Sequence, residues 1–206
     1  MYKKAWLALF ILALGGCRIV SQQELANLQT PPNPHMSDID RTWQDKIVPQ
    51  IVDHARPADE LMKALRAAKD FDSACQSLGY RSQSENPCIF YVSVVGKIEN
   101  INTASRSGKM TLRMQNGDSV IVQTGPILRG TLLRDSYKGA SYADFNDQVL
   151  FGEYGRAINE RAVKMIQAAQ LQTGETTEVI GIFSAWDIPT SLPQITPAKI
   201  TRAEKP

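Results

Sequence analysis

The chain has 206 residues, and its 23 Lys and Arg outnumber its 21 Asp and Glu by two. Lys3 and Lys4 lie in an apolar leader, so the chain that is left after its removal has 21 basic and 21 acidic residues. A positive surplus is the usual mark of non-specific nucleic-acid binding, and the mature chain lacks it. Its 190 residues suffice for one domain of moderate size or two small ones.

Residues 1–16 have the order of a secretory signal peptide, with Lys3 and Lys4, ten apolar residues at 5–14 and then two glycines. Ten apolar residues are too few for a membrane-spanning helix, which takes about 20. Residues 14–17 (LGGC) resemble the lipobox of bacterial lipoproteins, in which the cysteine is lipidated and becomes the mature N-terminus. An ordinary buried N-terminal helix is disfavoured, because polar residues follow at once. We therefore predict export to the periplasm and a lipid anchor on Cys17.

Lipidation of Cys17 leaves Cys75 and Cys88 as an even pair in a compartment that permits disulfides, and we predict a bond between them. Two buried thiols are the alternative. No metal site is expected, because His35 and His54 have no partner at ligand spacing.

Residues 17–36 are predicted to form a tether, since the three prolines within 31–34 cannot continue a helix. Residues 37–80 are helical in pattern. Ser37 is the predicted N-cap of a first helix, whose apolar stripe repeats every four residues at Ile39, Trp43, Ile47 and Ile51. We assign Trp43 to the core rather than to a ligand platform, and we expect Pro49 to kink or end this helix. A second helix should start after Pro57, and a third should occupy about 71–78 and stop at Gly79.

Strand patterns begin at Cys88. Residues 89–101 are β-branched and aromatic, with Gly96 marking a bulge or bend, and 110–114 alternate as a half-buried strand. Asn116-Gly117 predicts a type I′ hairpin into a third strand at 119–124.

Residues 127–135 are predicted to form either another strand or an irregular crossing. A helix is expected over about 142–169, weakened in its middle by Gly152 and Gly155, and strands are expected at 177–185 and 194–202. Pro197 indicates an edge position for the last strand.

This order predicts an α+β fold, in which N-terminal helices pack on a five-stranded OB-fold-like β-barrel with a helix between strands three and four. An open meander packed on the helices is the competing architecture. The predicted organisation is a signal peptide at 1–16, a lipidated N-terminus and tether at 17–36, a helical segment at 37–80 and a barrel domain at 81–206.

The sequence contains no G-x-S-x-G motif, phosphate-binding loop or Cys-x-x-Cys motif. Catalysis by a Ser-His-Asp triad needs a histidine near the nucleophile, and both histidines lie in the N-terminal part of the chain. We expect neither enzyme activity nor a cofactor.

Residues 125–135 (GPILRGTLLRD) carry Arg129, Arg134 and Asp135 among apolar residues. The planar guanidinium suits carboxylates, phosphates and sugar hydroxyls, so these side chains are candidate ligand contacts at a barrel mouth. We favour the alternative, in which Arg134 or Arg129 pairs with Asp135 or Asp144, because buried charges are normally paired. The same choice between ligand binding and structure applies to the polar residues that follow, Asn146, Gln148 and Asn159.

The lipobox cysteine, the run at 125–135, the stretch at 145–148 (FNDQ), Asn159 and the closing 195–197 (ITP) together resemble a family of predicted periplasmic lipoproteins. The resemblance covers nearly the whole mature chain. The resemblance implies export and an OB-like fold. It also implies a gene that lies near those of sugar ABC-type uptake systems, and nucleic-acid binding as a function suggested by the shape of the fold. It implies no catalytic residues.

Three functions follow as hypotheses. The first is a lipid-anchored binding or accessory module for a small polar ligand such as a sugar, working with sugar transport components of the envelope. The second is an OB-fold nucleic-acid binder that uses a basic strip of Lys97, Arg106, Lys109 and Arg113, with Tyr91 as its aromatic. The third is a structural assembly protein. Arg18 follows the lipidated cysteine in place of the Asp that retains lipoproteins at the inner membrane, which favours the outer membrane.

Overall fold

A computed structural model describes residues 21–22, 25, 33–102 and 104–202 of the chain. The predicted signal peptide, the lipobox with Cys17, Arg18 and most of the predicted tether lie outside these residues. The chain divides into two units, Met1–Pro34 and His35–Pro206, and the fold below is that of the second unit. Among the helices that the structure describes, none combines the length and the apolar composition needed to cross a membrane.

The first helix, α1, runs over 39–54 as Ile39–Thr42, a π-helical turn at Trp43–Ile47, and Val48–His54, and it follows a 3-10 turn at Pro34–Met36. The prediction that Ser37 caps it is wrong, because the helix begins at Ile39 and Asp38 is its N-cap. Pro49 lies in the first turn of the Val48–His54 segment, so the helix resumes at the proline after its α-helical geometry is interrupted just before it. The π turn lies immediately before the proline, and its wider loop lets Val48 N–H bond to the Trp43 carbonyl five residues back.

The other N-terminal helices have the predicted positions, with α2 at Ala58–Ala67 and α3 at Phe71–Leu78. Asp70 caps α3 by accepting a hydrogen bond from Ser73 N–H at 2.8 Å. Short strands β1 (Arg56–Pro57) and β2 (Gly79–Tyr80) flank the pair. The predicted disulfide is confirmed: Cys75 of α3 and Cys88 at the start of the next strand are bonded, with their Cα atoms 5.8 Å apart.

The sheet is built on a 15-residue strand, β3 (Cys88–Asn102), which all the other strands join directly or through a neighbour. Its main path has the order β5-β4-β3-β6-β7, with strands at Ser107–Met114 (β4), Ser119–Pro126 (β5), Thr176–Ala185 (β6) and Thr196–Arg202 (β7). Neighbours on this path are antiparallel. Ile195 forms a parallel bridge to Val122 of β5, so the two edges of the curled sheet meet. This is the predicted OB-fold arrangement rather than an open meander.

Two local predictions on the sheet are wrong in detail. The register shift in β3 falls between Ile98 and Asn100, and Gly96 is instead a close approach, since a Cβ there would lie 2.8 Å from the Arg113 carbonyl oxygen. The β4–β5 hairpin forms, but only Gly117 has positive φ (87°) and Asn116 does not, which excludes type I′. Gly117 N–H bonds to the Met114 carbonyl, so a three-residue loop with a left-handed glycine closes the hairpin.

Residues buried on the two faces of the sheet form two cores. On the inner face, Phe90, Val92 and Val94 of β3 pack with β4, β5 and β6 and with the apolar sides of α2 and α3. On the outer face, Ile89 and Tyr91 pack against α1, whose buried residues include Trp43, as predicted. The N-terminal helices are therefore part of the barrel's packing.

The segment between β5 and β6 contains three helices: α4 (Leu132–Asp135), α5 (Tyr142–Phe145) and α6 (Gln148–Ala168). The prediction of a strand or irregular crossing at 127–135 missed α4. The long helix is divided, but the break lies at 146–147 and not at Gly152 or Gly155. Asn146 is left-handed (φ 47°), and the Asp147 carboxylate caps α6 by accepting from Val149 and Leu150 N–H.

Candidate ligand-binding cleft

A cleft of about 460 Å³ opens where the loop between β2 and β3 faces the segment that connects α4 to α5. Ile89 and Leu132 supply apolar wall, and four aromatic side chains surround them: Tyr80, Tyr137, Tyr142 and Phe151. The remaining wall carries polar side chains, namely Ser82, Gln83, Asn86, Arg134, Asp135, Lys138 and Ser141. An apolar concavity with a few converging polar groups is the usual form of a small-molecule site, and this volume lies within the ordinary range of about 300–1,000 Å³.

Arg134, on the cleft wall, is held by contacts within the protein. Its guanidinium donates to Asp135 Oδ1 from Nε at 2.9 Å and from Nη2 at 2.7 Å, to Thr131 Oγ1 at 3.0 Å and to the Phe151 carbonyl at 3.1 Å. Its Cζ also lies 3.7 Å from the centre of the Phe151 ring. These bonds fix the short α4 helix against α6.

Asp135 completes the same network, since its second oxygen, Oδ2, accepts from Thr131 Oγ1 at 2.8 Å. Of the pairings anticipated from sequence, the structure has Arg134 with Asp135. Asp144 is engaged elsewhere: it forms a capping box with Ser141 at the start of α5, accepting from the Ser141 N–H at 2.7 Å. The hydrogen bonds from Ser141 lower the pKa of Asp144 below its usual value.

Lys138 is the second cation of the cleft. Its backbone N–H donates to Gln50 Oε1 at 3.1 Å, and its Nζ lies 5.1 Å from the centre of the Tyr80 ring. In the described part of the chain, no carboxylate oxygen lies within 4 Å of this ammonium group.

The backbone that carries Lys138 is clamped to the barrel. The buried Ser136 carbonyl accepts from Gln50 Nε2 of α1 at 2.6 Å and from Tyr91 Oη of β3 at 3.0 Å. Gln50 Nε2 also lies 3.4 Å from Tyr91 Oη. One wall of the cleft is thus positioned by the first helix and the central strand, so its side chains do not depend on a free loop for their placement.

Tyr91 and Tyr154 make the fold sensitive to alkali. Burial raises the pKa of Tyr91 to about 12, with Tyr80 adding to the effect and the Gln50 hydrogen bond opposing it. Burial likewise raises the pKa of Tyr154 to about 12, with Tyr137 contributing. Both phenols are buried neutral, whereas in the unfolded chain they ionise at their ordinary pKa of about 10.

The pKa of each phenol is higher in the folded chain than in the unfolded one. The contribution of the neutral phenols to folding stability is therefore present in full below about pH 10 and is lost as the pH rises to about 12. We expect thermal unfolding temperatures to fall more steeply over this interval in the natural chain than in the Tyr91→Phe/Tyr154→Phe double variant. Tyr142→Phe is the control, because Tyr142 is half exposed. Equal slopes in the natural chain and the double variant would contradict the assignment.

The other residues predicted as ligand contacts lie outside the cleft. Arg129 is exposed, and its Nε donates to Ser107 Oγ at 3.1 Å. Asn146 is the left-handed residue between α5 and α6, and Gln148 is the exposed first residue of α6. Asn159 donates to the Gly130 carbonyl at 2.8 Å and so fixes the loop before α4 to α6. Of the predicted ligand contacts, Arg134 and Asp135 are therefore brought together at a cavity.

Comparison with known proteins agrees with this architecture. A family described as "Predicted periplasmic lipoprotein (DUF2291)" matches residues 7–201. The chain belongs to this family. The resemblance noted from the sequence is thereby confirmed, and so are its lipoprotein character and periplasmic location. A search of curated proteins found no match.

The lipoprotein is also similar to a solved structure, the crystal structure of an OB-fold protein from Thermotoga maritima. The two share 14% sequence identity and superpose with a TM-score of 0.57, over 81% of this chain and 98% of that one. At this identity the likeness concerns the fold alone, and it supports the barrel.

Sequence reasoning about the lipoprotein missed the aromatic side chains of its cleft. Tyr137, Lys138 and Tyr142 come shortly after Asp135 in the sequence, and the two tyrosines so close to this charged run were the available signal. Tyr80 ends β2 and Gln83 lies in the loop that follows it, far earlier in the sequence, and no local pattern links these residues to the segment after α4.

The basic strip proposed for nucleic acid is partly neutralised in the lipoprotein. Arg113 pairs with Glu99 at 2.8 Å and donates to the Gly117 carbonyl at 2.7 Å. Tyr91, the aromatic suggested for stacking, is only 3% exposed and packs in the outer core. That part of the nucleic-acid hypothesis is wrong, because a stacking platform must be open to bases.

A second cavity of the lipoprotein, of about 280 Å³, lies between α2, the β4–β5 hairpin and the loop that precedes β7. Asn116 Nδ2 bridges two of its carboxylates, donating to Asp59 at 2.8 Å and to Asp118 at 3.1 Å. These contacts join the hairpin to the helix. Among the described residues, no cluster of His, Cys, Asp or Glu has the geometry to hold a metal ion.

Proposed function

We propose that this periplasmic lipoprotein is a lipid-anchored binding or accessory protein whose cleft between α4 and the β2–β3 loop binds a small polar ligand, in the first instance a sugar. The observation that carries the proposal is the composition of that cleft. Aromatic rings stand beside amide, hydroxyl and charged side chains around an apolar wall.

A sugar ring presents a face of C–H groups and a rim of hydroxyls, so it matches a wall that alternates aromatic faces with hydrogen-bonding groups. Tyr137 and Tyr142 offer such faces, and Tyr142 is half exposed. Gln83 supplies an amide at the same wall. OB-fold barrels as a class bind oligosaccharides as well as oligonucleotides, which is compatible with this assignment.

The proposal extends to the protein's surroundings. On the family resemblance, we place its action beside sugar-uptake components of the envelope. We also propose the outer membrane as the site of its anchor, by analogy with enteric sorting, since Arg18 and not Asp follows Cys17. A lipid anchor confines the binding site to the membrane surface, where an uptake system operates.

Titration calorimetry of the mature lipoprotein in detergent, against a panel of neutral and anionic mono- and disaccharides, tests the proposal. We expect at least one sugar to bind, and we expect Tyr142→Ala to weaken that binding about tenfold through loss of an aromatic contact. Trp186→Ala is the matched control, since Trp186 is 66% exposed and lies outside the cleft. Absence of heat with every sugar, or an equal loss in the Trp186 variant, would sink the proposal.

A further inference from the structure

The charged side chains of the cleft are unequally compensated. Arg134 and Asp135 neutralise each other, and both oxygens of Asp135 already accept hydrogen bonds from neighbouring side chains. Arg134 distributes its donors among Asp135, Thr131 and the Phe151 carbonyl. Neither side chain therefore offers a net charge to a ligand.

Lys138 differs from this pair in having no carboxylate within 4 Å among residues 33–102 and 104–202. Its backbone is held by Gln50, and its side chain is exposed at the cleft wall. The lining thus carries one uncompensated positive charge, and it does so on a segment clamped to the barrel.

The aromatic rings of the cleft also argue against a cationic ligand. A ring cluster without cations of its own would attract a cationic ligand. Here the Phe151 face is covered by Arg134 at 3.7 Å, and Lys138 stands over Tyr80 at 5.1 Å. The protein's own cations occupy these two faces, and a cationic ligand would also be repelled by Lys138.

We infer that the cleft selects sugars that carry an anionic group, a carboxylate or a phosphate, and that Lys138 is the residue that recognises this group. The inference rests on the proposed function, because it specifies the ligand of the same cleft. The ring of the sugar lies against Tyr137 and Tyr142, and its anionic group reaches the ammonium of Lys138. Carboxylate and phosphate present the same charged oxygens to an ammonium, which binds them as a point charge.

The experiment compares four probes on the intact lipoprotein in detergent: glucose, glucuronate, glucose 6-phosphate and inorganic phosphate. We expect one or both anionic sugars to bind about 10- to 100-fold more tightly than glucose, the range of one charge-assisted hydrogen bond. The advantage should shrink as salt is raised, since the ammonium is exposed. Glucuronate against glucose 6-phosphate identifies which anion is preferred, and inorganic phosphate should bind more weakly than the sugar phosphate.

Lys138→Met should reduce the affinity for the anionic sugar to that for glucose and remove the salt dependence. Lys199→Met is the matched control, because Lys199 is an exposed lysine of β7 outside the cleft, and it should change neither.

The outcomes separate the two proposals. Equal affinity for glucose and the anionic sugars, or an unchanged preference in Lys138→Met, overturns the inference and leaves the sugar-binding function standing. Binding of none of the sugars overturns both. Inorganic phosphate binding as tightly as glucose 6-phosphate overturns the inference that a sugar is selected.

Discussion

Replacing Arg134 with alanine is expected to lower the free energy of unfolding by about 2–3 kcal/mol. The Arg134 side chain is only 13% exposed, and its removal takes away the hydrogen bonds that it donates to Asp135 Oδ1, Thr131 Oγ1 and the Phe151 carbonyl. Breaking a fully buried pair costs more, about 3–5 kcal/mol, but the Asp135 side chain is 39% exposed and water compensates in part. Urea unfolding of the unlipidated chain starting at Arg18, followed by circular dichroism, measures the loss.

Arg129→Ala is the matched control for this substitution, because both arginines lie in the same eleven-residue run. Arg129 is exposed, and among the described residues its side chain donates to Ser107 Oγ alone, so the expected change is within about 0.5 kcal/mol. Arg134→Lys should fall between the two, since a single ammonium cannot span three acceptors. A loss below about 1 kcal/mol in Arg134→Ala, or an equal loss in Arg129→Ala, would show that the network is not what holds α4.

Removing the disulfide is expected to cost about 3 kcal/mol in the Cys75→Ala/Cys88→Ala double variant. The two cysteines are 13 residues apart in the sequence, and the bond restricts the unfolded chain over the loop they enclose. Both are buried in the inner core, so the variant also loses packing between α3 and β3. Urea unfolding of the double variant and of the oxidised natural chain gives the difference.

Reduction supplies the control for this prediction. Dithiothreitol should destabilise the natural chain by a similar amount and leave the double variant unchanged. A natural chain whose unfolding curve is the same with and without reductant would contradict a stabilising disulfide. A double variant that still responds to reductant would show that the effect lies elsewhere.

Local patterns predicted the elements of this fold well where one interaction dominates. The four-residue spacing from Ile39 to Ile51 corresponds to α1, and the β-branched run at 89–101 corresponds to β3. Local patterns failed where the surrounding structure determines how a segment folds. At Pro49 the chain forms a π turn just before the proline and then resumes as α-helix, with its apolar side on the barrel. Gly152 and Gly155 do not break α6. The helix begins after its Asp147 cap and continues through both glycines.

The candidate cleft shows the same division. The sequence singled out Arg134 and Asp135 as charges among apolar residues, and it favoured a pairing within the protein. It did not indicate Tyr80 or Gln83 as neighbours, since Tyr80 ends β2, Gln83 lies in the loop that follows, and the position of both depends on the β2–β3 pairing. Nor did it show that Lys138 has no carboxylate partner within the described part of the chain, because that depends on every element packed around it.

The sequence by itself determined the compartment, the anchor and the cysteine pairing of this protein, together with the order of its N-terminal helices and of the five main strands. These properties follow from contiguous signals: an apolar leader, a lipobox, an even pair of cysteines and hydrophobic periodicity. Only the tertiary structure decided which polar side chains stabilise the fold and which line a cavity. The physical reason is that hydrogen bonds and ion pairs join residues distant in sequence, as Gln50 does when it positions Lys138.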